Sequence, residues 1–410
     1  MSIRYSIIIP VFNRPDELKE LLESMLKWKN REAGKTGWRR DTEPEQGAEL
    51  KRDTVQEKGT GLMRDTVSMR DTVSMRDTVQ EKGTAPGRDH EQKQLQIQFE
   101  GNDEDPGSNW EVIVVEDGSG LRSEDVCRQY SRMLDISYVY QENAGPAAAR
   151  NTGSRKARGD WLIFFDSDCI IPEGYFDAVD EALRDESIDY FGGPDRASAD
   201  FSAVQRAIDY AMTSFLTTGG IRGGRRKLDR YYPRSFNMGV RKAAFEDVAG
   251  FSGLRFGEDL DLSMRLMMAG YRSVLIEDAW VYHKRRTNFK KFFKQVYNSG
   301  MARVVLNRLH PGTLKMVHLL PSFFVLYILA ALISLIVIPH PIFWYPVGIL
   351  ILILFIDGFR STGSLAVSVL VPLAGIVQLS GYGTGLIHAW ILVHILGRNK
   401  VSAFEKTFYK

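Results

Sequence analysis

Asp166 and Asp168 stand two positions apart at the end of the apolar run WLIFF, residues 161–165. Side chains i and i+2 of a strand point the same way, so the pair presents two carboxylates to one side where the strand opens into a loop. That arrangement can hold a hard divalent cation, which takes oxygen ligands, keeps several waters and bridges phosphate oxygens. A lone D-x-D is also the ordinary chemistry of a solvated acidic turn. A second acidic pair, Glu116 and Asp117, ends the run WEVIVVED at 110–117, and a third, Glu258 and Asp259, follows Gly257 where a helical pattern begins. Acids in a first helical turn complement the macrodipole, which explains many such pairs without any reaction. His283 closes the strand-like run VLIEDAWVYH, a place where a surface or hydrogen-bonding histidine is common. The segment GGIRGGRRKLDR, 219–230, either offers arginine forks to a diphosphate or is a mobile cationic loop.

These groups act together only if the chain brings them to one place. Residues 5–12, YSIIIPVF, read as a buried strand, and Pro15-Asp16-Glu17 opens a helix with Leu18, Leu21, Leu22, Met25 and Leu26 at helical spacing. After Trp28 the periodicity stops. RDTVQEKGT occurs at 52–60 and 76–84, with RDTVSM at 64–69 and 70–75 between them. Units this short, carrying one or two apolar residues each, cannot bury a core, so 30–109 is expected to be a disordered insertion. From 110 the alternation resumes: a strand at 110–117, a helix near 123–133, a strand at 136–142, a helix over 146–157 and the strand at 161–165. Without the insertion this is a continuous βαβαβ series, an α/β domain whose parallel strands place ligands beyond their carboxyl ends. Glu116, Asp117, Asp166 and Asp168 should therefore face one crevice. Further on, the pattern predicts helices near 173–185 and 200–216, a strand at 235–241 and a helix from Glu258.

Beyond residue 316 the apolar content becomes continuous. HLLPSFFVLYILAALISLIVI is long enough to span a bilayer, PIFWYPVGILILILFI is shorter but uncharged, and 364–396 is a third apolar block with Gly381, Gly383 and Gly385 near its middle. Read as a hairpin of two short spans, that third block gives four crossings. Arg360 and the basic tail at 398–410 then fall on the cytosolic side, as the positive-inside tendency prefers; three crossings put the tail outside. Residues 284–308 hold eight Lys or Arg and no acid, interleaved with Phe289, Phe292, Phe293 and Tyr297, so amphipathic helices over 286–312 are expected to lie on anionic lipid. A net charge of +2 gives no reason to expect a nucleic-acid partner. Two cysteines, Cys127 and Cys169, make neither a disulfide framework nor a zinc site. The first residues read as a strand rather than a signal peptide, which favours a cytosolic domain on the inner face of the cell membrane.

SIIIPVFNRPDEL, VIVVEDGS, ENAGPAAARNTG, WLIFFDSDC, FNMGVRKAAFEDVAGF and GEDLDLSMRLMMAG follow one another in the order seen in family-two glycosyltransferases of the GT-A fold, which the chain resembles over about 1–30 and 110–285. The resemblance implies a nucleotide-diphosphate sugar lying over the strand ends. It puts Phe12 on the nucleobase, where Tyr is common, beside Pro10 and Asn13, and Asp117 on the base or ribose; Glu116 replaces the usual first acid of V-D-D-G-S. Arg150 would approach the diphosphate with Asn143 and Gly145, although Gly145 and Pro146 are equally good helix-start residues. Asp168 would be the principal ligand of Mg²⁺ or Mn²⁺, Asp166 would touch sugar, ribose or the metal through water, and His283 matches a position that helps hold the metal in some relatives. Glu258 and Asp259 match the family's catalytic acidic pair, in which the Asp takes the acceptor's proton; one displacement with one base implies inversion. Cys169 replaces an acid frequent in the family and receives no role.

The sequence thus predicts a GT-A domain with a mostly parallel mixed sheet flanked by helices over 1–29 and 110–285, followed by a transmembrane helical region at 313–397. It would transfer a sugar from its nucleotide donor to a lipid-linked or saccharide acceptor in surface polysaccharide or glycolipid synthesis, with membrane lipid as a further partner. A processive synthase is the alternative within the class, but Gln295 is followed by Val-Tyr-Asn-Ser, not by the Q-x-x-R-W element of such enzymes. A catalytically silent membrane scaffold is the alternative outside it.

Overall fold

The computed structural model describes residues 3–35, 95–98, 109–198, 200–219, 231–337 and 340–398. The repeats, most of the Gly/Arg-rich loop and the basic tail after Arg398 lie outside the described residues. Residues 33–91 separate from the remainder of the chain, which forms one compact unit.

In chain order the elements begin with β1 (Tyr5–Val11), α1 (Pro15–Lys35), β2 (Leu95–Gln98), β3 (Trp110–Asp117), α2 (Glu124–Tyr130), β4 (Ile136–Gln141), α3 (Pro146–Lys156), β5 (Trp161–Phe165) and β6 (Cys169–Ile170). They continue with α4 (Tyr175–Ala182), β7 (Tyr190–Gly192), β8 (Asp195–Arg196), α5 (Ala203–Thr213), α6 (Phe215–Thr218), β9 (Asn237–Arg241), α7 (Lys242–Asp247), α8 (Glu258–Met268), β10 (Ser273–Leu275) and β11 (Val281–His283). Four long helices follow, α9 (Phe289–Leu309), α10 (Met316–Val337), α11 (Tyr345–Thr362) and α12 (Leu365–Trp390), the last running on as a π-helical turn to Ile395.

The main sheet has the order β10-β7-β9-β5-β1-β3-β4-β2. Its centre, β5-β1-β3-β4, is parallel, β9 runs antiparallel between β5 and β7, and β2 pairs antiparallel with β4 at the far edge. The β-branched runs of β1 and β3 are buried on both faces, as the interior of a parallel sheet demands. One face packs Ile7, Ile9 and Val114 against Leu18, Leu22 and Phe176; the other packs Ile8, Val115 and Phe164 against Ala149, Phe245 and Leu262. Pro10 lies beyond the β5 pairing, which stops at Ile8, so its missing N–H costs the ladder little. A second sheet, β6-β11-β8, stands beside the strand ends.

Two expected boundaries move. Helix α1 runs on past Trp28 to Lys35, and β2 lies inside the stretch 30–109 that read as structureless. Two Leu/Ile positions alternating with Gln were too short a signal to find β2 among the repeats, and it exists through its ladder with β4.

The third apolar block is one helix rather than a hairpin, which leaves, among the described residues, three apolar helices long enough to cross a bilayer: Met316–Val337, Pro341–Thr362 and Leu365–Ile395. Its glycines make no turn. An added Cβ at Gly385 would lie 2.0 Å from the Tyr297 carbonyl oxygen of α9, one at Gly383 would lie 2.2 Å from the Pro321 carbonyl of α10, and one at Gly300 of α9 would lie 2.1 Å from the Tyr382 carbonyl. They let backbones touch, as small residues do between membrane helices. Helix α9 correspondingly turns Phe292, Val296, Met301 and Val304 inward against the neighbouring helices, while Phe293 and Leu309 stay exposed. Of the basic residues at 284–308, Arg285 and Arg303 are buried and Lys284 pairs with Glu20, while Arg286, Lys290, Lys291 and Lys294 are exposed.

Candidate active site

Strand β5 ends at Phe165, and Asp166, Ser167 and Asp168 form the turn into β6, closed by the Cys169 N–H donating to the Asp166 carbonyl at 3.0 Å. Strand β6 pairs antiparallel with β11, setting His283 opposite Cys169. That register carries His283 Nε2 to 3.2 Å from Asp168 Oδ1 and 4.0 Å from Asp166 Oδ2. Arg14, just past the end of β1, pairs with the other Asp168 oxygen. Burial opposes the charge on Asp168, but His283 and then Arg14 outweigh it and hold the carboxyl well below the usual carboxylate range.

Asp168, Cys169 and His283 offer ligand atoms within 4.8 Å of one another, enough to hold a metal ion. Asp168 Oδ1 is buried, with the His283 imidazole at 3.2 Å as its polar neighbour and no well-aligned hydrogen bond among the described residues, so a cation there would complete its pairing. The Cys169 thiol fits the set less well: burial, then Asp168, push it well above the ordinary thiol range, and it lies 3.5 Å from the Phe236 carbonyl as a donor. Only a thiolate binds metal well. The fitting donors are therefore the Asp168 carboxylate and the His283 imidazole, the latter stacked on Phe236 at 4.8 Å. Behind the imidazole, Asp195 Oδ2 lies 4.0 Å from His283 Nδ1 and is paired with Arg285 at 2.5 Å.

Arg150 joins this turn to the start of α8. Five residues into α3 and only 3% exposed, it donates to Asp166 Oδ1 at 2.6 Å and to Glu258 Oε1 at 3.3 Å, with its guanidinium 5.5 Å from the centre of the Phe251 ring. Burial disfavours its charge; Asp166 and Glu258 more than offset that. Glu258 and Asp259 lie in the first turn of α8, after Gly257 in the left-handed region at φ 75°. Burial, then the adjacent Asp259 carboxylate, push Glu258 up to about 7 against the pull of Arg150. Asp259 Oδ1 accepts from the Leu260 N–H at 2.8 Å, and Oδ2 lies 3.5 Å from Arg234 Nη1.

A second group surrounds the end of β3. Asp117 accepts from Gln141 Nε2 at 2.7 Å, the Ala144 N–H at 2.9 Å and the Gly145 N–H at 2.8 Å, while Asn143 Nδ2 donates to the Asp117 carbonyl at 2.8 Å. Both carboxylate oxygens of Asp117, expected on the base or ribose, thus hold the loop that begins α3. The side chain of Asn143, expected near the diphosphate, is spent in the same loop. Glu116 accepts from Ser119 Oγ and from the Ser123 N–H at 2.7 Å, so the acid that departs from V-D-D-G-S ties down its own loop. Asn13 adopts φ 54°, which Asn tolerates better than most residues, and its Oδ1 accepts from the Leu121 N–H at 2.9 Å. Pro10 and Phe12, half-buried at the end of β1, lead to it.

The structure therefore gathers Arg150, Asp166, Asp168, Glu258, Asp259 and His283 into one linked cluster, and places Asp117, Asn143 and Gly145 in the neighbouring loop network. Asn13 connects the β1 end to that network, and Arg14 connects it to the cluster. Arg14 and Arg234 were not singled out in the sequence. The only available signal for Arg14 was its place in FNRPDEL, immediately after Asn13.

Comparison with known proteins gives this arrangement a context. Residues 93–249 match the model of Glycosyl transferase family 2. Glycosyltransferase AglE of Haloferax volcanii is 26% identical over 202 residues, 48% of this chain and 64% of that protein. Pre-mycofactocin glycosyltransferase of Mycobacterium tuberculosis is 30% identical over 212 residues, 49% of this chain and 43% of that protein. Glycosyltransferase GlyA of Streptococcus pneumoniae is 43% identical over 72 residues, 17% of this chain and 10% of that protein. In each case the chain spans less than two thirds of the relative. The fold is similar to that of mannosyltransferase PcManGT from Pyrobaculum calidifontis, solved in complex with GDP-Man and Mn²⁺, at a TM-score of 0.53 and 13% identity over 93% of this chain and 88% of that one.

Proposed function

We propose that this protein is a membrane-anchored, inverting glycosyltransferase of the GT-A fold that moves a sugar from a nucleotide-diphosphate donor to a lipid-linked or saccharide acceptor at the cytosolic membrane face. The reaction would serve surface polysaccharide or glycolipid synthesis. The observation that carries the reading is the convergence of Asp166, from the end of β5, and Glu258, from the first turn of α8, on the buried guanidinium of Arg150. Asp168 and His283 adjoin them as one carboxylate and one imidazole, donors that together can hold a divalent cation.

In this reading Asp168 and His283 hold Mg²⁺ or Mn²⁺, and Asp166 faces the sugar or ribose. The cation, when bound, stabilises negative charge on a departing diphosphate. Asp259 takes the proton of the acceptor hydroxyl as its oxygen attacks the anomeric carbon, and its one oxygen bound to the Leu260 N–H leaves the other facing Arg234 at 3.5 Å. Glu258, kept largely protonated below about pH 7, spares Asp259 a second charge beside it. Arg150 fixes the spacing of the two acidic segments. Pro10 and Phe12 shape the base end of the crevice, and the Asp117–Asn143–Gly145 loop holds it rigid. The mannosyltransferase of similar fold, with its bound GDP-Man and Mn²⁺, supports the donor and metal classes.

The test is a thermal-shift screen of nucleoside diphosphates with and without Mn²⁺, followed by transfer assays. A ligand at about 100 times its Kd stabilises the native state by about 2.7 kcal/mol. Asp168→Asn should abolish the Mn²⁺-dependent part of the shift, whereas Asp259→Asn should keep it and lose transfer by about two to four orders of magnitude. A wild type stabilised by no nucleoside diphosphate with Mn²⁺, or an Asp259→Asn variant of full activity, would leave a scaffold as the better description.

A further inference from the structure

Away from this cluster, a cavity of about 940 Å³ lies between α5, α6 and the last turns of the apolar helix α11. We propose that it binds the phosphate-ester headgroup of a membrane lipid, with the first part of an acyl or prenyl chain along its apolar wall. Phosphate alone would fill a small fraction of that volume. Arg206, on α5, and Arg360, in the final turn of α11, both line it, and among the described residues neither forms an ion pair. The two acids in the wall are already engaged: Asp209 pairs with Arg285 at 2.7 Å, and Asp357 accepts from the Tyr210 hydroxyl. Arg285 is shared between Asp209 and Asp195, so the network carries no net charge; what suits a phosphate ester is placement, since Arg206 and Arg360 face the cavity without a carboxylate in ion-pair range among the described residues. The carbonyl end of α11 would repel an anion. Arg206 covers it by donating to the Thr362 carbonyl at 3.3 Å.

The apolar wall decides in favour of a lipid over a soluble phosphate. Phe215 and Leu216 are 47% and 43% exposed at the mouth, and Ile353 and Ile356 are 44% and 41% exposed on the flank of a helix long and apolar enough to cross a bilayer. Headgroup chemistry and chain chemistry thus meet at one end of α11. The lining also touches the network behind the Asp168–His283 pair, because Asp209 shares Arg285 with Asp195, which stands behind His283.

Native mass spectrometry of the full chain, released from phosphatidylcholine nanodiscs containing a tenth phosphatidic acid, tests the assignment. Wild type should retain phosphatidic acid at least fivefold above its share of the bilayer, and Arg206→Gln with Arg360→Gln should return retention to the bilayer ratio. Substituting Lys290, Lys291 and Lys294 of α9 by Gln should leave the enrichment in place. If the arginine double variant does not fold, Ile356→Trp, which fills the apolar side with both arginines intact, should lower retention equally. Enrichment absent in wild type, kept in the arginine variant or the Trp variant, or lost in the α9 variant would overturn the proposal. So would displacement of the lipid by millimolar inorganic phosphate, which would make the site one for a free anion.

Discussion

At 3% exposure Arg150 has almost no water to stabilise its charge, so the Asp166 carboxylate at 2.6 Å must do so, with the Glu258 carboxyl accepting a second hydrogen bond, and in turn the guanidinium holds both. Removing one partner of such a buried group costs about 3–5 kcal/mol, far more than a surface pair is worth. Glu258 carries the pH consequence. Its folded-state pKa, about 7, lies above the ordinary 4.5, so the unfolded chain releases this proton first as pH rises. The contribution is fully present below pH 4.5 and is lost as pH climbs through about 7, at up to about 1.4 kcal/mol per pH unit. Glu258→Gln stays neutral throughout. Its melting temperature relative to wild type should therefore rise by a few degrees between pH 5 and pH 8; parallel profiles would mean that Glu258 is already ionised at pH 5. At this scale the acidic residues were legible in the sequence, since strand ends and helix starts are local features. Their partners were not: Arg150 meets Glu258 across 108 positions and Arg14 meets Asp168 across 154, pairings made by topology alone.

Among the elements, α12 shows how little of helix packing is written in hydropathy. Its three glycines suggested a break, yet Gly381 and Gly385 face α9 and Gly383 faces α10. An apolar run with glycines at alternate positions serves equally for a turn or for a two-sided seam, and only the neighbouring backbones decide. Gly385→Ala should be costly, because its Cβ would sit 2.0 Å from the Tyr297 carbonyl oxygen and the two helices would have to part. Gly348→Ala on α11 meets nothing within 4 Å and serves as the control, neutral or slightly stabilising through better helix propensity. We expect Gly385→Ala to lower the melting temperature by several degrees and Gly348→Ala not to. Equal behaviour of the two would show that α9 and α12 are not in backbone contact. The strands at the sheet centre were readable because continuous Val/Ile runs admit little else, whereas β7, β8 and β10 are two or three residues long and owe their form to their neighbours.

For the whole molecule, the apolar helices are part of the domain's own packing. Residues of α5 such as Ile208 and Met212 share a core with Phe292 and Val296 of α9, Leu354 of α11 and Val371 of α12. A tethered anchor would show no such shared core, so loosening α12 should be felt at α5, whose Asp209 reaches Arg285 and through it Asp195. The stretch 33–91 forms a unit of its own. Strand β2 restricts where it can be cut: Leu95–Gln98 completes the sheet edge on β4, and a deletion through it would expose the β4 edge. Replacing 36–91 by a short Gly/Ser linker should therefore leave the melting temperature within about 2 °C and transfer within about twofold of wild type. Extending the deletion to 105 should lower both, because β4 also carries Gln141, which donates to Asp117 at 2.7 Å. Equal activity of the two deletions would show that β2 is dispensable. A large loss in the shorter one would mean that the repeats contribute to turnover.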